Sequence, residues 1–205
     1  MFKNNLRIAY RNLLKNRVFS YINVLGLAIG IAAFLFIVQY VRFERSYEDF
    51  NVTVDNTYRL LAEFYNGSGY VMTDCETYAP LGPLLKEKIP EVVDFVRLYG
   101  IDGQINVRAG ARNFLESGLY WADHSVFNVF THPVVNGDPT KALIAPFEVV
   151  LTESMAKKYF GHTNIIDESI EIDKNSFRIK AVIADVPANT HLKFSFLLSR
   201  LSFKT

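Results

Sequence analysis

Between Arg17 and Arg42 the chain carries twenty-four consecutive residues, 18–41, without a charge. Wound as an α-helix at 1.5 Å per residue, this run reaches about 36 Å against roughly 30 Å of bilayer hydrocarbon, so it can cross a membrane with some tilt. Fourteen of its residues are Val, Leu, Ile or Phe, each favouring insertion by roughly 0.3–0.6 kcal/mol near the helix centre. A cleavable signal peptide has an apolar core of about 7–15 residues followed by a small-residue cleavage site. Here Ala28, Gly30, Ala32 and Ala33 are followed by the still apolar FLFIV, so the run reads as an uncleaved anchor.

The flanks set an orientation. Residues 1–17 hold Lys3, Arg7, Arg11, Lys15 and Arg17 and no acid, a local charge of +5, which keeps that end cytoplasmic and places everything after residue 41 outside. The overall charge of +1 hides an asymmetry: 17 of the 22 basic residues lie after the run, against all 21 acidic ones, so the outer part is about −4. Lys3, Arg7, Arg11 and Lys15 recur every fourth position with Leu6, Tyr10, Leu13 and Leu14 beside them, the pattern of an amphipathic helix at the cytoplasmic interface. Anionic lipids attract each such base by about 1 kcal/mol. Within the run, Gly26 and Gly30 form G-x-x-x-G, and Ser20, Asn23, Gly26, Gly30 and Ala33 share one helix face on which another membrane helix can pack closely. Residues 42–56 mix aromatic anchors with charges and contain no Gly/Ser/Pro linker, which predicts a helical stalk.

The remainder, 57–205, is long enough for one ordinary domain or two small lobes, and aromatic residues, 14 % of the chain, supply large buried areas. TYRLLAEFY and YVMTD around residues 66–69 predict a hairpin with a four-residue loop, and YAPLGPLLKEKI a helix ending at Pro90. Strands are predicted near 92–99, 104–108 and 112–121. Asp123 is predicted to cap a short helix running to Phe130, and Thr152 to cap ESMAKKYF, which ends at Gly161. SIEID and SFRIKAVIADV form a second hairpin about Lys174 and Asn175, and LKFSFLL a last strand. Strand runs outnumber helices about two to one, which predicts an α+β domain with sheets covered on one face.

Motifs for chemistry are missing. There is no G-x-x-x-x-G-K phosphate loop, no H-E-x-x-H and no G-x-S-x-G, so no catalytic, cofactor-binding or metal-binding residue is assigned. His124, His132, His162 and His191 read as turn or cap residues, and Asp123 beside His124 does not make a dyad, since backbone neighbours point apart. Cys75 is the only cysteine, which excludes an intrachain disulfide and predicts a buried, inert thiol. Basic residues of the outer part are scattered among acids, leaving no nucleic-acid footprint.

In order along the chain, LRIAYRNLLKNRVFSYINVLGLAIGIA, ERSYEDF, NTYRL, GDPTKAL, VVLTESMAKKYFG and DVPANTHLKFSFLLS resemble the amino-terminal part of an ABC-transporter permease of the FtsX-like family with a MacB-type periplasmic core domain. The resemblance implies a bacterial inner-membrane protein: a cytoplasmic basic helix over 1–17, a membrane helix over 18–41, a stalk over 42–56 and a mixed α/β periplasmic core of two lobes over 57–205. It also implies a non-catalytic permease subunit that binds no cofactor itself, ATP being bound by a separate cytoplasmic ABC ATPase. Membrane lipids, a second permease copy or homologous permease and, optionally, a periplasmic adaptor are the further partners. The substrates implied are peptides, macrolide-like antimicrobials or lipoproteins, exported or released outside the membrane. Further membrane helices are expected beyond Thr205. One departure is local: where the family has a Pro-Ile-Gly-Lys-like turn, this chain has Ile165, Ile166, Asp167 and Glu168, so the turn must be made without glycine. A single-pass anchored binding or sensor module is the alternative function, since it needs no further helices, and an anchored periplasmic enzyme would need a convergent polar pocket.

Overall fold

The uncharged run forms the centre of α1, Arg17–Arg45, a helix of 29 residues. The computed structural model describes residues 5, 7, 10, 11 and 15–204, the side chain of residue 204 excepted, and divides into two units, Met1–Tyr47 and Glu48–Thr205. No residue of α1 is buried, as suits an apolar helix whose natural solvent is lipid, and by length and composition it is able to cross a membrane. The stalk expected over 42–56 is helical only as far as Arg45. The Ser46 hydroxyl donates to the Phe43 carbonyl at 2.7 Å, and the backbone turns left-handed at Glu48 with φ 61°. A helix cannot continue through such a residue, and only a 3-10 turn, Val54–Asn56, follows.

In the outer unit, eleven strands make a two-stranded ribbon and a nine-stranded sheet. The ribbon joins β1, Ala62–Asn66, to β2, Gly69–Asp74. Asn66 pairs with Gly69, so its loop has two residues rather than four, and Gly67 at φ 63° meets the positive φ that a two-residue turn requires. Helix α2, Leu81–Lys88, follows, its face packed so closely that a Cβ on Gly82 would lie 2.5 Å from the Phe95 ring.

The nine-stranded sheet holds β3 (Leu98–Gly100), β4 (Ile105–Ala109), β5 (Arg112–Glu116), β6 (Leu119–Ala122), β7 (Val134–Gly137), β8 (Glu148–Thr152), β9 (Ser169–Ile172), β10 (Asn175–Ile183) and β11 (Phe196–Ser199). The order is β3-β6-β11-β8-β10-β9-β4-β5, with β7 also paired to β10. Two neighbouring pairs, β6 with β11 and β8 with β10, are parallel, and the others antiparallel. The strand expected over 112–121 is broken into β5 and β6 at Gly118, whose φ of 73° turns the chain toward β11. Between β6 and β7 lies α3, Val126–Val129, and after β8 lies α4, Glu153–Phe160.

Alternation along the strands sends apolar side chains to both faces, so the sheet is covered on two sides and not on one. Leu119, Val149, Leu151, Ile179, Phe196 and Leu198 pack with Ala156 and Tyr159 of α4. On the other face Ala122, Val150, Ala181, Ile183 and Leu197 pack with Val126 of α3, with Leu143 and with Phe194. Each large aliphatic or aromatic side chain removed from water here contributes roughly 1.5–3 kcal/mol. Two lobes are implied by the resemblance, whereas Glu48–Thr205 forms one compact unit. None of residues 52–106 is buried, so the ribbon and α2 have no core of their own.

The turns show how local signals were realised. Gly161 ends α4 in the left-handed region at φ 85°, as expected. The β9–β10 turn falls on Asp173 and Lys174, φ 46° and 69°, one residue before the expected position. In the glycine-free stretch, Asp167 itself takes φ 65°. Its amide donates to the Ile179 carbonyl at 2.8 Å and its carboxylate pairs with Lys180 at 2.8 Å, so tertiary contacts hold a conformation that glycine adopts freely.

Candidate functional site

The stripe Ser20, Asn23, Gly26, Gly30 and Ala33 lies on one side of α1, and a Cβ built on Gly26 or Gly30 meets nothing within 4 Å. Among the described residues nothing approaches the two glycines. Of the basic residues, Arg7, Arg11 and Lys15 are helical and exposed, Arg17 is the first residue of α1, and Lys3 lies outside the described residues.

At the start of the outer unit, the positive φ of Glu48 swings its side chain into a polar cluster. Oε1 accepts from the Thr190 hydroxyl at 2.6 Å and from the His191 amide at 2.7 Å, while Oε2 accepts from Asn51 Nδ2 at 2.8 Å. Its own amide donates to the Asn189 carbonyl at 3.1 Å. Asn51 Oδ1 accepts from the Thr131 amide at 2.8 Å, the Thr131 hydroxyl accepts from the Val52 amide at 3.0 Å, and the Thr53 hydroxyl donates to the Val129 carbonyl at 2.5 Å. One carboxylate thus ties the first residues of the domain to two loops, 129–131 and 189–191. Asn51 is 5 % exposed and Thr190 2 %, so these polar groups have little access to water. Burial pushes the Glu48 carboxyl up, but the bonds from Thr190 and His191 outweigh it and hold the group below the usual carboxylate range.

Beside the cluster stands His132, its ring edge-on to Phe127 and Phe194 with centroids 6.3 and 5.1 Å away. Burial pushes it down to about 4, against the opposing pull of the Glu48 charge, and its Nε2 has no hydrogen-bond partner. It is a half-buried histidine set among aromatic rings rather than a turn or cap residue.

Elsewhere polar side chains serve structure. Asp123 does not cap α3, because its carboxylate accepts from Arg97 Nε at 2.7 Å and Nη2 at 2.9 Å, a bidentate pair. Thr152 occupies the position before α4 but makes no side-chain cap; Asp185 accepts from the Ser154 amide at 2.9 Å in its place. Buried Glu116 accepts from the Tyr159 hydroxyl at 2.6 Å and pairs with Lys158 at 2.7 Å. Cys75 is exposed, which corrects the expectation of a buried thiol. No group of three or more His, Cys, Asp or Glu able to hold a metal occurs among the described residues.

Sequence reasoning singled out ERSYEDF and DVPANTHLKFSFLLS without giving either a role. The structure joins them through Glu48 and Thr190, 142 positions apart, and uses Asp185 of the second stretch to cap the helix of VVLTESMAKKYFG. The signal was visible as charged and polar residues inside otherwise apolar stretches; their partners were not.

An apolar helix of membrane-crossing length followed by an α+β sheet domain defines the class. The family profile described as the MacB-like periplasmic core domain matches residues 20–202, and the chain belongs to that family. Among solved structures it is similar to a domain of a proposed permease protein from Porphyromonas gingivalis, at 18 % identity and TM-score 0.50 over 60 % of this chain and 60 % of that one. It is also similar to the periplasmic region of MacB from Actinobacillus actinomycetemcomitans, at 19 % identity and TM-score 0.44 over 58 % and 53 % of the two chains. A third similarity is to the extracellular domain of the noncanonic ABC-type transporter YknZ from Gram-positive bacteria, at 14 % identity and TM-score 0.40 over 54 % and 58 %. The chain thus spans between about half and three-fifths of these structures. No curated protein gives a significant sequence match.

Proposed function

We propose that the chain is a permease component of an ABC transporter. In this reading α1 crosses the inner membrane, residues 1–17 face the cytoplasm, and the sheet domain stands in the periplasm, where it helps export or release a peptide, an antimicrobial compound or a lipoprotein. ATP is bound and hydrolysed by a separate cytoplasmic ATPase, and this chain contributes neither catalysis nor a cofactor. The observation that carries the reading is the family match over 20–202, which runs through the apolar helix and the domain together. The Glu48 cluster fixes the first residue of the domain to the domain's own loops. The Gly26–Gly30 face serves to pack another membrane helix, from the same protein or a second copy.

Two measurements test this. Cys75, the only cysteine and exposed, should react with a membrane-impermeant maleimide in intact spheroplasts; labelling only after lysis places the domain inside and refutes the topology. Affinity purification of the whole protein in mild detergent should bring down an ABC ATPase from the host, and its repeated absence refutes the coupling.

A further inference from the structure

Strands β6 and β11 lie side by side and parallel, and both end at the same rim of the sheet, at Ala122 and Ser199. The chain leaves β6 toward α3 and leaves β11 into the 3-10 turn Arg200–Lys204, and a space opens beyond these two carboxyl ends. Here it is a cleft of about 300 Å³ walled by Asp123 and His124 after β6, Arg200 and Leu201 after β11, and Leu143 and Ile144 on the approach to β8.

The charges in this cleft do not balance. Its single lining carboxylate, Asp123, is 14 % exposed in its side chain and is already committed to Arg97, which holds both of its oxygens. Glu148, behind Ile144, turns Oε2 to the Ile144 and Ala145 amides at 2.9 and 3.1 Å. Arg200 is half-buried, and among the described residues nothing pairs with its guanidinium. A half-buried arginine beside apolar walls, with the cleft's lining carboxylate occupied, presents a planar fork of donors with no acceptor among the described residues. The wall opposite is held in place at a conformational cost: Leu143 is buried with φ 61°, and its carbonyl accepts from the Ser199 hydroxyl at 3.3 Å. Backbone strain of this kind in a non-glycine residue clusters at ligand clamps. His124, exposed at the mouth, adds one more donor.

We propose that this cleft binds a small organic carboxylate bearing an apolar group, the carboxylate on Arg200 and the apolar group against Leu143, Ile144 and Leu201. The binding does not depend on the transport reading, because it is measured on this chain without an ATPase, so each can fail alone.

The test is calorimetric titration of the full chain in nanodiscs with N-acetyl-L-leucine and, in parallel, with N-acetyl-L-leucinamide. A ligand of this size binds in the low-millimolar range, and the amide, which cannot form a charge-assisted pair, binds at least about tenfold more weakly. Arg200→Met should reduce acid binding to the level of the amide. Leu201→Glu, at a position 47 % exposed and therefore tolerant of substitution, should weaken the acid about tenfold by adding a like charge. Hexanoate should bind as the N-acyl amino acid does, since the chemistry recognised is a carboxylate with an apolar group. Equal binding of acid and amide, no saturable binding of the acid up to about 10 mM, or unchanged acid binding in a folded Arg200→Met or Leu201→Glu protein overturns the proposal.

Discussion

Replacing His132 with phenylalanine should remove most of the dependence of stability on pH between 6.5 and 4. In the native domain the imidazole is pushed down from 6.5 to about 4 by burial between Phe127 and Phe194. Between those two values the unfolded chain binds a proton that the native chain refuses, so stability rises with pH across this window and falls as pH drops from 6.5 toward 4. A difference of that size, at 1.36 kcal/mol per unit, corresponds to about 3 kcal/mol over the whole window. The lowered carboxylates Glu48, Asp94 and Asp185 have the opposite ionisation but the same consequence in a lower range: their contribution is present above the unfolded value, near 4, and is lost as pH falls through the folded one. The two windows are therefore separable. Urea unfolding of the full chain in detergent at pH 7, 6, 5 and 4.5, followed by the fluorescence of Trp121, the single tryptophan on β6, gives the slope. Wild type should lose most of the 3 kcal/mol by pH 4.5, and His132→Phe should lose less than about 1 kcal/mol. At pH 7 the variant should be as stable as wild type or more so, because it also removes the unpartnered Nε2, a group whose burial costs on the order of 1–3 kcal/mol. The reading depends on the slope, so a shift in baseline from the larger ring does not affect it. Equal slopes in the two proteins would show that His132 is protonated as easily in the native state as in the unfolded one, and would refute the account of its burial.

Glu48→Ala strips the acceptors from the buried Asn51 and Thr190 side chains, and should destabilise the domain by about 3 kcal/mol, or roughly 6–12 °C in melting temperature for a domain of this length; a cycle with Thr190→Val that proves additive would deny their coupling. Asp185→Ala removes the cap of α4 and should cost about 1 kcal/mol in denaturant unfolding; an unchanged midpoint would deny Asp185 that role. Gly26→Leu with Gly30→Leu should leave the urea transition of the outer domain unchanged while lowering the yield of any complex with other membrane subunits on detergent gel filtration; an unaffected complex rules out this face as the packing surface.

The parts legible in the sequence are those whose cause is local. Gly161 at the end of α4 and the β9–β10 hairpin follow from neighbours within a few positions, and each is found within a residue or so of its expected place, while the charge-free run lies inside a helix that continues to Arg45. The misreadings share a different origin. Asp123 and Thr152 have the residue types and spacing of helix caps, yet Asp123 is drawn off by Arg97, 26 positions away, and Ser154 is served by Asp185, 31 positions away. Residues 42–56 are compatible with a helix, but the pull of Thr190 and His191 on Glu48 favours a left-handed turn there. The ribbon with α2 was expected to fall within a cored lobe, and no alternation pattern by itself reveals that none of residues 52–106 is fully buried.

By itself the sequence determined that this chain carries a membrane-length helix with a basic flank and an α+β domain, because insertion energy and apolar periodicity are sums over adjacent residues; the MacB-like type came from the resemblance of its motifs in order along the chain. Only the tertiary structure decided that β6 runs parallel to β11, that Glu48 clasps two distant loops, and that Arg200 lines a cleft without an acceptor among the described residues. Those outcomes turn on which buried donor meets which acceptor, and the nearest candidates along the chain are seldom the nearest in space.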